Sequence, residues 1–441
     1  MKGIITLSIC LISFQILSQT KLKKTKNKID TIQKLDEIII NSNLIFGNKY
    51  VASNRTGSAY FISPKELKKF SFTDINRALR TVPGVNIYEE DGFGLRPNIS
   101  LRGTSPERSS KITMMEDGVL IAPAPYSASS AYYFPTIARM EAVEVLKGSS
   151  QIQYGPFTTG GAINMISNQI PESFSGRIRS SYGSFNSSQF HAIIGDNINN
   201  FGYSLEYLNY GSDGFKKLSN DKNTGFDKND IVLKFKVNLF PQAAVKQSLD
   251  IKLQYSDEES NETYLGLTDN DFKTNPFKRY DGSAKDLMKN IHRQVVLTHT
   301  IDFTKNFRIT TNAYHNYFKR NWYKLDDIVH DGESQKISKV IANPDLYPGH
   351  IAFVKGELTE ANNFLKVKAN NREYTSRGIQ TKIDYHWYGE NNSFNDLEIG
   401  FRLHYDEEDR FQWEDIYTMN YGVITANKVD KFLFEENKVQ T

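Results

Sequence analysis

Beyond residue 170 the chain alternates between apolar and polar positions with a period of two. Tyr203, Leu205 and Tyr207 alternate with Gly202, Ser204 and Glu206, and Ile231, Leu233, Phe235, Val237 and Leu239 stand opposite Lys234, Lys236 and Asn238. The pattern returns at Leu249, Ile251, Leu253 and Tyr255 against Ser248, Asp250, Lys252 and Gln254, and at Ile379, Thr381, Ile383, Tyr385 and Trp387. It is clearest where Leu397, Ile399, Phe401, Leu403 and Tyr405 oppose Glu398, Arg402, His404 and Asp406. A period of two places alternate side chains on opposite faces of a β-strand. Runs of about ten residues are long enough to cross a bilayer as tilted strands. Charges on the second face require water there, as in the lumen of a membrane barrel, whereas a soluble sandwich would bury one face in a dry core. Polar inserts at 211–229, 257–289 and 325–371 alternate with short breaks at 240–247 and 303–307. Long loops at one rim and tight turns at the other are the expected barrel layout.

Residues 61–168 follow another rule. Ser63-Pro64-Lys-Glu66 is a capping box with proline at the first helical position. Ile75, Ala78, Leu79 and Val82 follow at helical spacing before Pro83-Gly84 ends the helix. Short strands are predicted at 99–102, 111–115, 119–121, 141–146 and 162–166, separated by Gly/Pro loops at 89–98 and 123–134. The unit reads as a compact α+β domain, too small and polar to be half of a doubly wound enzyme.

Lys2 is followed by an apolar run from Ile4 to Leu17, about 14 residues where a spanning helix needs ~20. With Ser18 as a plausible cut, residues 1–18 read as a secretory signal. Cys10 is the only cysteine and leaves with it, so the mature chain forms no internal disulfide and no cysteine metal site. Residues 21–30 are charged and read as a linker, followed by Leu35-Asp-Glu-Ile-Ile-Ile-Asn-Ser42, an extended segment that a partner sheet could accept as an added strand, or an ordinary edge strand. The expected domains are 1–18 signal, 19–44 linker, 45–169 compact unit and 170–441 barrel strands. Net charge is +3 over 441 residues, which argues against a nucleic-acid partner. The 24 Tyr and 28 Phe, set in a chain of mean hydropathy −0.51, suit strands that are half lipid-facing and half lumen-facing.

Ser100-Leu-Arg-Gly103, Met115-Glu-Asp-Gly118, Val143-Glu-Val-Leu-Lys-Gly148 and Tyr154-Gly-Pro-Phe-Thr-Thr-Gly-Gly-Ala-Ile-Asn164 occur in this order and spacing. Together they resemble the plug domain of TonB-dependent outer-membrane receptors. The resemblance covers essentially the whole mature chain. It implies a 22-strand barrel around the plug, an active importer with no catalytic residues, and localisation in the outer-membrane lipid. It further implies the TonB complex as partner, contacting Asp36, Glu37, Ile38, Ile39, Ile40 and Asn41, and structural roles in the plug for Arg102, Gly103, Asp117, Gly118, Lys147, Gly148, Gly160 and Gly161. Arg102 is expected inside the plug, holding it to the wall. Within the family, Ile121-Ala-Pro-Ala-Pro-Tyr126 with Tyr132-Tyr-Phe-Pro-Thr136, and Glu262-Thr-Tyr-Leu-Gly-Leu-Thr-Asp269 continuing to Asn275-Pro-Phe-Lys-Arg-Tyr280, resemble the ferric dicitrate receptor group. Twenty-two strands of about ten residues would use ~220 residues before loops, whereas residues 170–441 yield about ten strands. The chain ends at Gln440-Thr441 without a final strand closing on an aromatic residue, so about half of the barrel is expected to be missing.

Iron is then cargo within a chelate, and no cofactor or resident metal is expected. Ferric citrate complexes are anionic, so cations at the plug apex are the candidate ligand groups, preferably Arg with its carboxylate-matching fork. Arg96, Arg108 and Tyr126 are placed there, with Lys278 and Arg279 closing from a barrel loop; the alternative is that the arginines pair with Glu90, Glu107 or barrel carboxylates. Gly160-Gly161 lacks the Lys-Ser/Thr of a phosphate loop and reads as tight packing. His404 with Glu407 or Asp409 lacks a second histidine at metal-binding spacing, and the acidic runs 257–259 and 406–409 are expected at solvated rims beyond strand ends. Receptors for another siderophore, an outer-membrane enzyme and an adhesin barrel are the alternatives, the enzyme weakened by the absence of a Gly-x-Ser-x-Gly elbow.

Overall fold

A computed structural model describes residues 44–54, 57–70, 74–147, 149–261, 265–359, 362–390 and 393–440. The predicted signal, the linker, the TonB-contact segment 36–41 and Gly148 lie outside the described residues.

The first part is a five-stranded mixed sheet sandwiched between two apolar layers. Its strands are β1 (Ser58–Ile62), β4 (Ile112–Glu116), β5 (Val119–Leu120), β6 (Met140–Lys147) and β7 (Gly161–Ser167), in the order β1-β6-β7-β4-β5, while β2 (Val85–Tyr88) pairs only with β3 (Asn98–Leu101). Alternation divides the strands between the layers. Met114, Val143, Val145, Ile163 and Met165 pack on one face with Leu67, Ile75 and Leu79 from the helices Pro64–Phe70 and Ile75–Leu79. Met115, Ala142, Leu146, Ala162 and Ile166 pack on the other, with Ile45, Phe46 and Ala52 from the N-terminal segment and the helix Lys49–Asn54. The capping box is made: the Ser63 backbone N–H donates to the Glu66 carboxylate at 2.9 Å. Asp74 caps the next helix, accepting from the Asn76 N–H at 2.7 Å.

The second part is one antiparallel sheet whose strands follow chain order: β8 (Ser175–Gly183), β9 (Ser187–Ile198), β10 (Phe201–Ser212), β11 (Phe226–Leu239), β12 (Lys246–Ser260), β13 (Leu287–Thr304), β14 (Phe307–His330), β16 (Phe364–Tyr388), β17 (Phe394–Asn420) and β18 (Val423–Gln440), with β15 (Glu333–Lys336) pairing beside β14. Among the described residues β8 and β18 form its edges. The period-two reading holds. Leu205, Ile379, Leu397, Ile399, Phe401 and Leu403 are exposed on the outer face, while Ser204, Glu206, Lys252, Gln254, Asn316 and Ser376 are buried on the inner face against the compact unit.

Strand lengths depart from expectation. β14, β16 and β17 run for 24, 25 and 27 residues, far beyond the ~10 that cross a bilayer, so the predicted inserts are shorter than proposed. Above the apolar belt both faces of a strand can be polar, so the alternation that marks a strand fades although the ladder continues. Asp257-Glu-Glu259 and Asp406-Glu-Glu-Asp409 therefore lie inside β12 and β17 rather than beyond strand ends. The longest insert holds the helices Ile337–Ala342 and Pro348–Val354, which bury Val340, Phe353 and Val354 against Leu325, Ile328, Leu365 and Val367 of the long strands.

Candidate functional site at the plug apex and inner wall

The compact unit meets the wall through buried charge. At its centre Arg139, fully buried, donates to Glu116 at 2.6 and 3.2 Å and to the Tyr133 hydroxyl at 3.3 Å. Lys252 of β12 reaches across to Glu116 at 2.6 Å and to Asp117 at 2.7 Å. Burial alone would raise Glu116, but Arg139 and Lys252 overcome it and hold the carboxyl at about 2. Asp117 is likewise held well below the usual carboxylate range, burial being outweighed by Lys252 and Lys234. Lys234 donates to Ser167 and to the Asn168 carbonyl, both at 2.6 Å, and Lys228 to the Phe134 carbonyl at 3.0 Å. Arg102, expected in this role, is instead exposed in a left-handed turn with Gly103 (φ 57° and 74°), and among the described residues no hydrogen bond or ion pair joins it to the wall. A single Ser-Leu-Arg-Gly motif cannot tell which arginine faces the sheet; Arg139, in Ile137-Ala-Arg139 before β6, does.

The other structural positions serve turns and close packing. Asp117-Gly118 joins β4 to β5 with both residues at positive φ, and Asp117 also accepts from the Ser167 N–H at 3.0 Å. Lys147 donates to the Pro83 carbonyl. A Cβ on Gly160 would lie 2.9 Å from the Lys111 carbonyl, and one on Gly161 would lie 2.6 Å from the Leu146 carbonyl, so neither position has room for a side chain.

At the apex, the loop 89–97 wraps around Asp91, whose carboxylate accepts backbone N–H groups of Phe93, Gly94, Leu95 and Arg96. This aims Arg96 at the wall, where it pairs with Glu258 at 2.6 Å with both side chains buried. Arg108 forks onto Glu90, one arm at 2.7 Å, and its guanidinium lies 4.8 Å from the Trp322 ring and 5.6 Å from that of Tyr132. Tyr126 is partly exposed; its backbone N–H and that of Ser127 donate to Asp406 at 2.7 and 3.0 Å, and its ring lies 4.8 Å from His404. His404 itself meets Asp406 and the Tyr314 hydroxyl, a contact within the wall on which the Tyr126 ring rests. Lys278 is exposed in the loop before β13, and Arg279 turns back onto the Pro276 and Lys278 carbonyls at 3.0 and 2.7 Å. The structure thus sets Arg108 against Trp322 and Tyr132, places Tyr126 apart from it against His404 and Asp406, commits Arg96 to the wall, and pairs the segment of Lys278 and Arg279 with Lys217 of the preceding insert.

Opposite the apex the inner wall carries cations that motif reasoning passes over. On β14 the inward positions run Asn316, Phe318, Arg320, Trp322, all buried. The Arg320 guanidinium lies 3.9 Å from the Tyr132 ring of the plug and donates to the Asn370 carbonyl at 3.2 Å and the Tyr374 hydroxyl at 3.4 Å. Arg372 of β16 and Arg410 of β17 share one carboxylate, Glu408, at 3.1 and 2.8 Å. Arg320 is 2 % exposed, has no ion-pair carboxylate among the described residues, and keeps its Nε without a hydrogen-bond partner. The signal for these residues was present in the period-two register; what was missing was the knowledge of which face meets the plug.

Residues 52–162 match the family described as TonB-dependent Receptor Plug Domain. Among solved structures, the chain resembles the ferric citrate transporter FecA in its unliganded form, with TM-score 0.65, 18% identity, and coverage of 92% of this chain and 55% of that one. It resembles the siderophore receptor PiuA from Acinetobacter baumannii, with TM-score 0.58, 16% identity, and coverage of 87% and 52%. It also resembles the ferric yersiniabactin uptake receptor FyuA from Yersinia pestis, with TM-score 0.52, 18% identity, and coverage of 88% and 61%. The chain therefore spans roughly half to three-fifths of the length of these structures. Residues 52–162 thus match a TonB-dependent receptor plug domain, and the chain shares the fold of the corresponding part of these structures.

Proposed function

We propose that the protein imports an anionic iron chelate, of the ferric citrate kind, across the outer membrane in a TonB-dependent manner. The reading is carried by Arg320: a buried guanidinium on the inner wall, facing the plug, with no ion-pair carboxylate among the described residues. An unbalanced buried cation is costly unless an anion completes it. Arg108, Arg372 and Arg410 stand around it, paired with Glu90 and Glu408, and Tyr132 and Tyr374 supply aromatic and hydroxyl surface. A polycarboxylate chelate would find forked donors here. Structural relatives take up ferric citrate and ferric yersiniabactin, so the fold does not select the ligand and the charge at the apex must. Residues 36–41 are the segment proposed to be drawn by TonB through strand addition, and the exposed apolar outer face is proposed to sit in outer-membrane lipid.

Titrating ferric citrate into the purified complete receptor tests the reading. Arg320→Gln should weaken binding by about 1.5–3 kcal/mol, the value of a charge-assisted contact, whereas Lys68→Gln on an exposed plug helix should not. Equal affinity in the Arg320→Gln receptor would remove this residue from the site and the citrate assignment with it; tighter binding of a different anionic siderophore would redirect it.

A further inference from the structure

Glu144 is a fully buried carboxylate on the plug sheet that neither the ligand cluster nor the wall contacts use. It accepts backbone N–H groups from Ile45, Phe46 and Gly47 at 2.8, 2.8 and 2.9 Å, and the Asn164 side-chain amide at 2.8 Å. One carboxylate thus fastens three consecutive peptide groups of the plug's N-terminal end. Asn164 is the next link: its carbonyl oxygen accepts the Gly118 N–H at 2.9 Å, and the Gly118 carbonyl accepts Gln380 of the wall at 3.0 Å. Gln380 in turn accepts Arg402, which donates to the Tyr154 carbonyl at 2.9 Å. A cavity of about 520 Å³ lies beside this chain of contacts, between plug and wall near the short-turn rim, lined by Leu44, Ile45, Met115, Gly118, Gln380 and Arg402.

We propose that Glu144 is a catch: its carboxylate holds the N-terminal end of the plug in place, and withdrawal of residues 45–47 from it opens this cavity between the plug and strands β14, β16 and β17. The proposal rests on the reading of 36–41 as the segment on which TonB pulls, three residues (42–44) before the catch begins. Tension applied there reaches the three hydrogen bonds to Glu144 before it reaches any plug strand. In the resting state the catch is self-locking, because a buried carboxylate stripped of three of its four donors is unfavourable. Once drawn out, Ile45 and Phe46 also leave Met115, which they cover in the same apolar layer, and Met115 lines the cavity.

The test uses the complete receptor with Met115→Cys as the reporter thiol, read against the same receptor without that substitution, since Cys10 is expected to leave with the signal. Glu144→Gln keeps the shape but turns amide hydrogens toward N–H donors. Maleimide labelling of the reporter should then quicken at least about tenfold. Hydrogen exchange should quicken in 44–54 while 161–167 stays protected, and Glu107→Gln on the exposed surface should change neither. Any other combination, including unchanged labelling or loosening of both segments, overturns the catch. The readout needs no ligand and no TonB, so failure of ferric citrate binding would strike the ligand reading alone.

Discussion

Arg96 and Glu258 lie 162 positions apart in sequence and 2.6 Å apart in the fold. Arg96 stands in an apex loop where a ligand cation is expected, and Glu258 in an acidic run that reads as a solvated rim; only the inward register of β12 brings them together. The pair joins plug to wall in a buried setting, so removing one partner strands the other. Arg96→Gln should cost about 3–5 kcal/mol of stability, and Arg96→Gln with Glu258→Gln should recover most of it. A double-mutant cycle by denaturant unfolding of the complete receptor in detergent measures this, and additive losses would show that the pair does not couple. Arg108 illustrates the companion case: its fork is taken by Glu90, yet its guanidinium stays over Trp322 and Tyr132, on the same rings that border Arg320. Charge type was legible at each residue, and Glu90 and the barrel carboxylates stand among the partners the sequence offers the arginines, but Glu258 could not be singled out because it comes from a distant strand.

Elements with local signals were legible in advance. The capping box acts through neighbours in sequence and forms, whereas the helix expected to run to Pro83-Gly84 already ends at Leu79, leaving Val82 outside it. β1 and β2 were not foreseen, since β1 exists by pairing with β6 and β2 by pairing with β3 across a loop. Gly161 shows how an element depends on its surroundings. It opens β7 at φ 156°, and a Cβ there would sit 2.3 Å from Leu101 as well as 2.6 Å from the Leu146 carbonyl. Gly161→Ala must therefore shift β7 against β6, and it should destabilise the plug by more than about 2 kcal/mol. Gly103→Ala, at φ 74° but with nothing within 4 Å, should cost less. Thermal unfolding of the two variants side by side checks the order, and a reversed order would mean that close packing does not set the cost at Gly161.

Across the whole molecule, one sheet has two unlike faces. Its outer face bears Leu397, Ile399, Phe401 and Leu403 near the short-turn rim, where Phe303, Phe307, Tyr385, Trp387 and Phe394 cluster, while its inner face is charged and packs on the plug. Ile399, paired with Ile383 and exposed outward, lies within the belt read as lipid-facing. Ile399→Arg should cost about 2–4 kcal/mol of folding free energy in lipid bilayers, and an unchanged value would count against lipid on that face. The sequence alone determined the class of each region, because period two, turn chemistry and plug motifs are local properties of the chain. It also determined that one strand face is polar. Tertiary structure alone decided which arginines are spent on wall carboxylates, that Arg139 and not Arg102 lies in the charge cluster facing the wall, 3.7 Å from Asp230 of β11, and that Arg320 has no ion-pair carboxylate among the described residues. The physical reason is that burial and charge pairing depend on which strand faces which, and that is settled only when the plug docks on the sheet.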